Sequence, residues 1–170
     1  AVTPQTCAVM IEMVQGEGGV NPVSSDFIEG LVDLCQRQKL LLIVDEVQTG
    51  LGRTGKFLAC EHFGVKPDII TFAKALGDHS TTIGGGGLAF TVGLEVLSLM
   101  EEEDLPRRAE EKGEELKGLF GKWRRELSVI KEVRGWGLLL ALELTIPAKP
   151  LVMTCLERGL VINAVTPTAI

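Results

Sequence analysis

The chain has 170 residues, of which 45% are hydrophobic, and its 23 acidic residues outnumber its 17 basic ones, for a net charge of −6. This length and hydrophobic content allow one domain of ordinary size with a real core. The acidic balance argues against nucleic acid as a partner, and no apolar run reaches the ~18 residues of a membrane span. Twenty glycines and few aromatic residues favour a loop-rich α/β protein over an all-β one.

The cysteines form no CxxC pair, and no histidine lies at metal-ligand spacing from any of them. We therefore predict no metal site and four buried thiols in a reducing cytosol, at Cys7, Cys35, Cys60 and Cys155. The chain has no signal peptide and does not begin with Met, which suggests a processed, truncated or partial polypeptide.

The first half of the chain alternates apolar runs with one helical pattern. Runs at 7–14, 40–47 and 68–75 predict buried parallel strands, because strands covered on both faces are apolar throughout. Apolar residues recur at helical spacing over 25–39, and Ser25 can cap that helix. The order predicts a βαβ unit in an α/β fold.

The second half predicts two helices and then a smaller unit. We expect a strand–helix–strand tail after the second helix, as a second domain that begins near residue 128. The expected elements are helices at 88–100 and 105–127, a strand at 137–144, a helix at 151–158 and a strand at 160–165.

Two charged residues end the main strands: Asp45 follows one and Lys74 the other. In open α/β sheets ligands bind at the carboxyl ends of the strands, so both side chains can face one pocket. A structural ion pair is one interpretation. The other is a pyridoxal site, in which a lysine amine attacks an aldehyde and a carboxylate keeps a pyridine nitrogen protonated.

A nucleotide-hydrolysing enzyme is a rival interpretation of the same region. Residues 50–56, GLGRTGK, imitate a phosphate-binding loop that ends in Gly-Lys. Phe57 follows where a Ser or Thr hydroxyl should hold magnesium, and the loop comes directly after the acidic strand rather than in its own strand–loop–helix unit. Both features disfavour an ATPase.

The stretch 45–77, DEVQTGLGRTGKFLACEHFGVKPDIITFAKALG, resembles the cofactor signature of class III aminotransferases, with 29 positions from Asp45 to Lys74. Matching pieces lie at 15–19, 79–85 and 133–138. The resemblance implies a fold-type I pyridoxal-phosphate-dependent transferase, with a mostly parallel sheet in the large domain and part of a smaller C-terminal α+β domain.

The resemblance assigns roles to this signature. Lys74 carries pyridoxal 5′-phosphate and moves the proton between substrate and cofactor, while Asp45 pairs with the pyridine nitrogen. Val47 packs on one face of the ring, Gln48 reaches its phenolic oxygen, and Glu46 belongs to the same cofactor-binding stretch.

The resemblance extends to the substrate pocket and the partner subunit. Thr82 binds the cofactor phosphate of the other subunit, which implies a homodimer, and Thr81 contacts substrate. Glu17 resembles the glutamate that pairs with a carboxylate-binding arginine, and Glu12 lines the same pocket. Thr81 and Thr82 can also be ordinary turn residues, and Glu12 can simply end its strand. We expect structural or network roles for Arg53, Arg134, His62, His79, Gly135 and Gly137.

Both ends of the chain are most similar to family members that exchange the δ-amine of N-acetylornithine with 2-oxoglutarate, through the pyridoxamine form of the cofactor, in arginine biosynthesis. Members acting on ornithine, succinyl-diaminopimelate, succinylornithine or 4-aminobutyrate share the same core, so the amino donor stays open.

The chain departs from the family pattern at Gly77–Asp78, where about twenty residues, a strand and a helix, are missing. We expect residues 1–127 to be part of the large domain, with an absent segment between 77 and 78, and residues 128–170 to begin the small domain. The family's phosphate loop and carboxylate-binding arginine are also missing, so the 170 residues alone should be inactive. A truncated relative with a structural role is the non-enzymatic alternative.

Overall fold

A computed structural model of the chain describes residues 2–74 and 87–170. The strands of this part are β1 (Ala8–Ile11), β2 (Val14–Gln15), β3 (Asn21–Pro22), β4 (Leu41–Asp45), β5 (Ile69–Thr71), β6 (Ile130–Trp136) and β7 (Leu139–Leu144). Its α-helices are α1 (Ser25–Gln38), α2 (Gly87–Glu102), α3 (Leu105–Glu126) and α4 (Ala148–Glu157), and a 3₁₀ helix spans Ala59–Phe63.

The three predicted strands form one parallel sheet in the order β1-β4-β5. Ile11 pairs with Val44, and Asp45 pairs with Thr71. Because all three strands run in the same direction, their carboxyl ends meet at one edge of the sheet. The predicted parallel arrangement is confirmed.

Helix α1 covers one face of this sheet and forms the main core with it. Ser24 rather than Ser25 caps the helix: its hydroxyl accepts a hydrogen bond from the Phe27 N–H at 3.3 Å. The core consists of residues less than one-tenth exposed, namely Met13, Ile28, Cys35, Leu40, Leu42, Val44, Ala59 and Cys60. Burial of this apolar surface is the main favourable contribution to the stability of the sheet.

The opposite face of the sheet is open within residues 2–74 and 87–170. Met10 is 57% exposed, Leu41 46% and Ile69 44%, one from each strand. The expectation that these runs are buried on both faces is therefore wrong for the described part, where their burial alternates as in a strand covered on one side.

The C-terminal unit is an antiparallel β6–β7 hairpin with α4 packed beside it. The expected strand at 137–144 and helix at 151–158 are present as β7 and α4, but residues 160–165 form no strand in this described region, so the last element of the expected tail is wrong. The chain pairs with β7 only later: the Leu142 N–H donates to the Ile170 carbonyl at 2.8 Å, and Leu144 N–H to that of Thr168 at 2.8 Å. The mostly apolar run at 160–165 resembles a strand in sequence, although Val161 is 82% exposed.

Helix α3 packs on this unit through Phe120, which lies against the hairpin core, and through two small residues. Ala109 and Gly113 are its buried positions. The helical pattern of 105–127 places Ala109 on one face with Leu116, Leu119, Trp123 and Leu127, but these last four are each more than one-third exposed. A Cβ at Gly113 would lie only 2.2 Å from the carbonyl oxygen of Gly137. The turn between β6 and β7 therefore touches the backbone of α3, which only glycine permits at position 113.

Gly113→Ala is expected to destabilise the protein by about 1–3 kcal/mol, because a methyl group against a carbonyl forces the helix away from the hairpin. Gly118→Ala in the same helix is the matched control, since nothing lies within 4 Å of its added Cβ. It should stabilise by up to about 1 kcal/mol through helix propensity. Urea unfolding midpoints of the two variants measure the difference, and equal midpoints would contradict the close approach.

Candidate functional site

Three polar residues meet at the carboxyl edge of the parallel sheet. Glu12 directly follows β1, Asp45 ends β4 and Thr71 ends β5. The pairing of Ile11 with Val44 and of Asp45 with Thr71 places them side by side. This edge is where open α/β sheets bind ligands.

The Asp45 carboxylate is held firmly through one of its oxygens. Oδ1 accepts hydrogen bonds from the Thr71 hydroxyl at 2.9 Å and from the Val47 N–H at 3.0 Å. Among the residues that the structure describes, Oδ2 has no hydrogen-bond partner. Sequence reasoning missed Thr71; its signal is the position beside Asp45 on the adjacent strand end, three residues before Lys74.

Gln48, Glu17 and Glu12 are brought together around one turn. The Gln48 side-chain amide donates to Glu17 Oε1 at 3.4 Å, and the Gly16 N–H donates to Glu12 Oε2 at 3.3 Å. A Cβ at Gly16 would lie 2.8 Å from Gln48 Oε1, so glycine leaves room for the amide. Glu12 and Glu17, which are predicted to contact substrate, therefore lie beside Gln48, which is predicted to contact the cofactor.

Lys74 lies just beyond β5 with a left-handed backbone (φ 55°) and an exposed side chain. Residues other than Gly, Asn and Asp rarely adopt this conformation, and such strain is concentrated at functional sites. A cavity of about 650 Å³ is lined by Lys74 together with Glu46, Val47 and Gln48. Helix α3 contributes Arg108 and Lys112 to the lining, so the cavity is rich in positive charge.

Glu46 is 2% exposed, and both of its carboxylate oxygens are bonded within the protein. One accepts a short hydrogen bond from the Thr49 hydroxyl, and the other accepts from the Cys60 N–H at 2.9 Å. Its backbone N–H donates to the Thr71 carbonyl at 3.0 Å. These contacts tie the turn after β4 to both the 3₁₀ helix and β5, and thereby fix the residues on either side of Glu46.

The same network suppresses the reactivity of one cysteine. Burial, reinforced by the neighbouring Glu46 carboxylate, raises the pKa of the Cys60 thiol to about 11. All four cysteines are free thiols, but the predicted burial is correct only for Cys35 and Cys60, because Cys7 is exposed and Cys155 is half-buried.

Iodoacetamide at pH 8 is expected to modify Cys60 in the folded protein at least about 100-fold more slowly than in the unfolded chain, because the thiolate is the reactive form. The exposed Cys7 serves as the internal control in the same sample. Peptide mass spectrometry over a time course measures both. Equal rates at Cys60 in folded and unfolded protein would contradict the burial of this network.

The remaining predicted residues divide into three groups. Thr81, Thr82 and His79 lie outside the described residues. His62 joins a network, since its Nε2 lies 3.1 Å from the Thr54 carbonyl oxygen and its ring lies 4.6 Å from that of Trp136, and burial lowers its pKa. Gly137 has φ 52° in the turn between β6 and β7, in keeping with its expected role.

The described ranges offer neither a metal-binding cluster nor a membrane-spanning helix. They contain no group of three or more His, Cys, Asp or Glu side chains able to hold a metal ion. Between residues 2–74 and 87–170, no helix has the length and apolar character needed to cross a membrane.

The family model for class III aminotransferases matches residues 1–78 and 75–170. The acetylornithine aminotransferase of Methanocaldococcus jannaschii is 39% identical over 195 residues, covering 100% of this chain and 48% of that protein. That of Caldanaerobacter subterraneus is 36% identical, covering 98% of this chain and 48% of its own. The chain thus spans about half the length of the curated relatives it matches.

Solved structures agree with this assignment. The ornithine δ-aminotransferase of Plasmodium falciparum superimposes with a TM-score of 0.90 at 34% identity, over 98% of this chain and 49% of that one. The acetylornithine aminotransferase of Elizabethkingia anophelis gives 0.87 at 32% identity, over 95% and 47%. With the family model spanning nearly every residue and Asp45, Gln48 and Lys74 at one sheet edge, the chain belongs to the class III aminotransferase family.

Proposed function

We propose that the complete protein containing this chain is an aminotransferase that moves an amino group from an ω-amino donor to 2-oxoglutarate. One observation carries the proposal: Thr71 and the Val47 backbone hold the Asp45 carboxylate at the sheet edge from which Lys74 and Gln48 extend. A carboxylate and a lysine at neighbouring strand ends are the two protein groups that a pyridoxal cofactor requires, although Asp45 itself does not line the cavity beside Lys74.

Class III aminotransferases of the acetylornithine type use pyridoxal 5′-phosphate. The residues present fit this group, because Asp45 Oδ1 is occupied by two donors while Oδ2 can accept a hydrogen bond from a protonated pyridine nitrogen. Lys74 would hold the aldehyde carbon, and Val47 and Gln48 would contact the ring. When bound, the cofactor supplies an electron sink that makes the C–H bond on the amine-bearing carbon of the substrate acidic.

The residues of this chain have separate roles in the proposed amino transfer. Lys74 Nζ would accept the proton from the substrate carbon that bears the amine and would pass it on to the cofactor, as a general base and then acid. Asp45 keeps the pyridine nitrogen protonated, and Thr71 fixes the orientation of that carboxylate. Glu46 holds the turn that carries Val47 and Gln48, through Thr49 and Cys60.

N-acetylornithine is the amino donor we favour, with arginine biosynthesis as its setting. The most similar curated relatives carry the name acetylornithine aminotransferase at 36–40% identity, which supports this choice. Ornithine is the competing donor, because three ornithine aminotransferase structures superimpose with TM-scores of 0.88–0.90. In either case we propose that Glu17 and Glu12, beside Gln48, line the substrate pocket.

The assembly and boundaries of the site are part of the same proposal. We propose a homodimer in which Thr82 reaches the partner's cofactor phosphate and Thr81 contacts substrate.

We also propose that residues 1–127 belong to the large domain and 128–170 to the small one. A segment missing between 77 and 78 is supported by the family match, which is divided at residues 75–78. The M. jannaschii alignment of 195 positions, against 170 residues in this chain, supports it as well.

Amino-donor competition with the purified full-length protein tests the proposal. N-acetylornithine, ornithine and 4-aminobutyrate are each supplied with 2-oxoglutarate, and glutamate formation is followed. A kcat/KM for N-acetylornithine at least about tenfold above the others would support the favoured donor, whereas a preference for ornithine would replace it. A protein that stays colourless with added pyridoxal phosphate and forms no glutamate would favour the structural role.

A further inference from the structure

The turn at residues 16–20, which presents Glu17, has an unfavourable backbone conformation. Gly19 has φ 107° and Val20 has φ 55°. For a β-branched residue such as Val20 the left-handed region is a genuine outlier, and it persists only when the surroundings enforce it. Because Glu17 lies inside this turn, whatever enforces the turn also sets the position of the Glu17 carboxylate.

One restraint on the turn is apolar. Val20 is 3% exposed and packs in a small cluster with Val14 of β2 and Ala141 of β7. This cluster anchors the end of the turn to the C-terminal hairpin. This apolar cluster offers no hydrogen bond to the carbonyl oxygen of Gly19, the residue before Val20, so that oxygen needs a hydrogen-bond donor from elsewhere.

Arg134 of β6 supplies that partner from 115 positions away in the sequence. Its Nε donates to the Gly19 carbonyl at 2.8 Å, and the Arg134 side chain is only 12% exposed. A Cβ at Gly19 would lie 3.1 Å from the guanidinium and 3.0 Å from the Thr166 methyl group, so the turn, the arginine and the C-terminal segment are packed together.

The guanidinium is itself held in place by Glu143 of β7. One Arg134 amino group donates to Glu143 at 2.7 Å, and the Thr168 hydroxyl donates to the other carboxylate oxygen at 2.6 Å. These hydrogen bonds from Thr168 and Arg134 lower the pKa of Glu143, so the carboxylate stays charged near neutral pH. Arg134 also forms an ion pair with Glu132 at 3.3 Å. Because the Glu132 side chain is 53% exposed, this ion pair contributes little to stability.

We propose that Arg134 is a positioning residue that clamps the 16–20 turn through the Gly19 carbonyl and thereby keeps Glu17 against Gln48. The C-terminal hairpin thus controls the placement of a substrate-pocket carboxylate that it does not itself carry. The clamp itself stands on contacts alone, but its effect on substrate binding rests on the proposed function.

Hydrogen exchange of the full-length holoenzyme tests the clamp without reference to activity. Arg134→Met should accelerate exchange of the Gly19 and Val20 amides, which both donate to the Gly16 carbonyl, by about tenfold or more, as expected for the loss of one charge-assisted hydrogen bond. Arg134→Lys keeps the charge but cannot serve Gly19 and Glu143 together, so it should show a smaller change in the same direction and is available if the Met variant does not fold. Glu132→Gln is the matched control and should exchange like the unaltered protein.

Steady-state kinetics of the same variants test the positioning role. Arg134→Met should raise KM for 2-oxoglutarate by about tenfold and leave kcat within about threefold, with partial recovery in Arg134→Lys, because Lys74 and Asp45 are untouched. Unchanged exchange in both variants would overturn the clamp whatever the enzyme's activity. Faster exchange with an unchanged KM would overturn the positioning role, whereas an unaltered protein without aminotransferase activity would refute only the proposed function.

Discussion

Lys74→Ala is expected to lower amino transfer in the full-length protein by at least about 10⁴-fold, to the limit of detection. The substitution removes the amine that would hold the cofactor and the group that moves the substrate proton. Lys74 is exposed and has no hydrogen bond or ion pair among the described residues, so its loss should not unfold the protein. Glutamate formation from 2-oxoglutarate and an amino donor is the measurement, together with the visible absorbance of the cofactor.

Lys66→Ala is the control for this substitution. Lys66 is also an exposed lysine and lies on the connection that leads into β5, but it does not line the cavity beside Gln48. It should keep normal turnover and colour. Turnover retained by Lys74→Ala would remove the central claim, because the chain's signature offers no second lysine at that strand end.

The sequence predicted the parts of the fold that depend on local pattern. Mostly apolar runs predicted the three parallel strands, and the strand-end rule predicted Asp45 and Lys74 at one edge of the sheet. The periodicity of 25–39 gave α1 within one residue at its C-terminal end. These features are encoded within a few positions of one another, which is why a single sequence reveals them.

What the sequence could not predict depends on contacts between distant positions. Thr71 reaches Asp45 across 26 positions, and Arg134 reaches Gly19 across 115. Neither residue type discloses its partner, because a threonine in a strand and an arginine in a hairpin fit their elements without one; for Thr71 the only signal is its place at a strand end, three residues before Lys74. The prediction of a strand at 160–165 was wrong for a related reason. Which segment pairs with the edge of β7 depends on the tertiary structure, and it is Ile170 that exchanges backbone hydrogen bonds with Leu142.

Asp45→Asn is expected to lower turnover by about 10²–10³-fold while the protein stays folded and still binds cofactor. The amide keeps the size of the carboxylate and can still accept from Thr71 and Val47 through Oδ1. At the other position an NH₂ group replaces the oxygen that would accept from the pyridine nitrogen, and the negative charge that keeps this nitrogen protonated is lost. Steady-state turnover, with cofactor content measured by absorbance, separates the loss of chemistry from the loss of binding.

Asp68→Asn is the matched control, because Asp68 interacts with the same strand pair at its opposite end. Its Oδ2 accepts from the Leu42 N–H at 2.7 Å, a hydrogen bond that the asparagine oxygen can also accept without the charge, so the variant should lose little stability and keep its turnover. Thr71→Val should lie between the two, with turnover about tenfold lower, since it removes one hydrogen bond to the Asp45 carboxylate but leaves the charge. We expect this order of turnover because the negative charge of Asp45 keeps the pyridine nitrogen protonated, whereas the Thr71 hydroxyl only orients the carboxylate. Normal turnover in Asp45→Asn, or an equal loss in Asp68→Asn, would show that the sheet edge contributes structure rather than electrostatics.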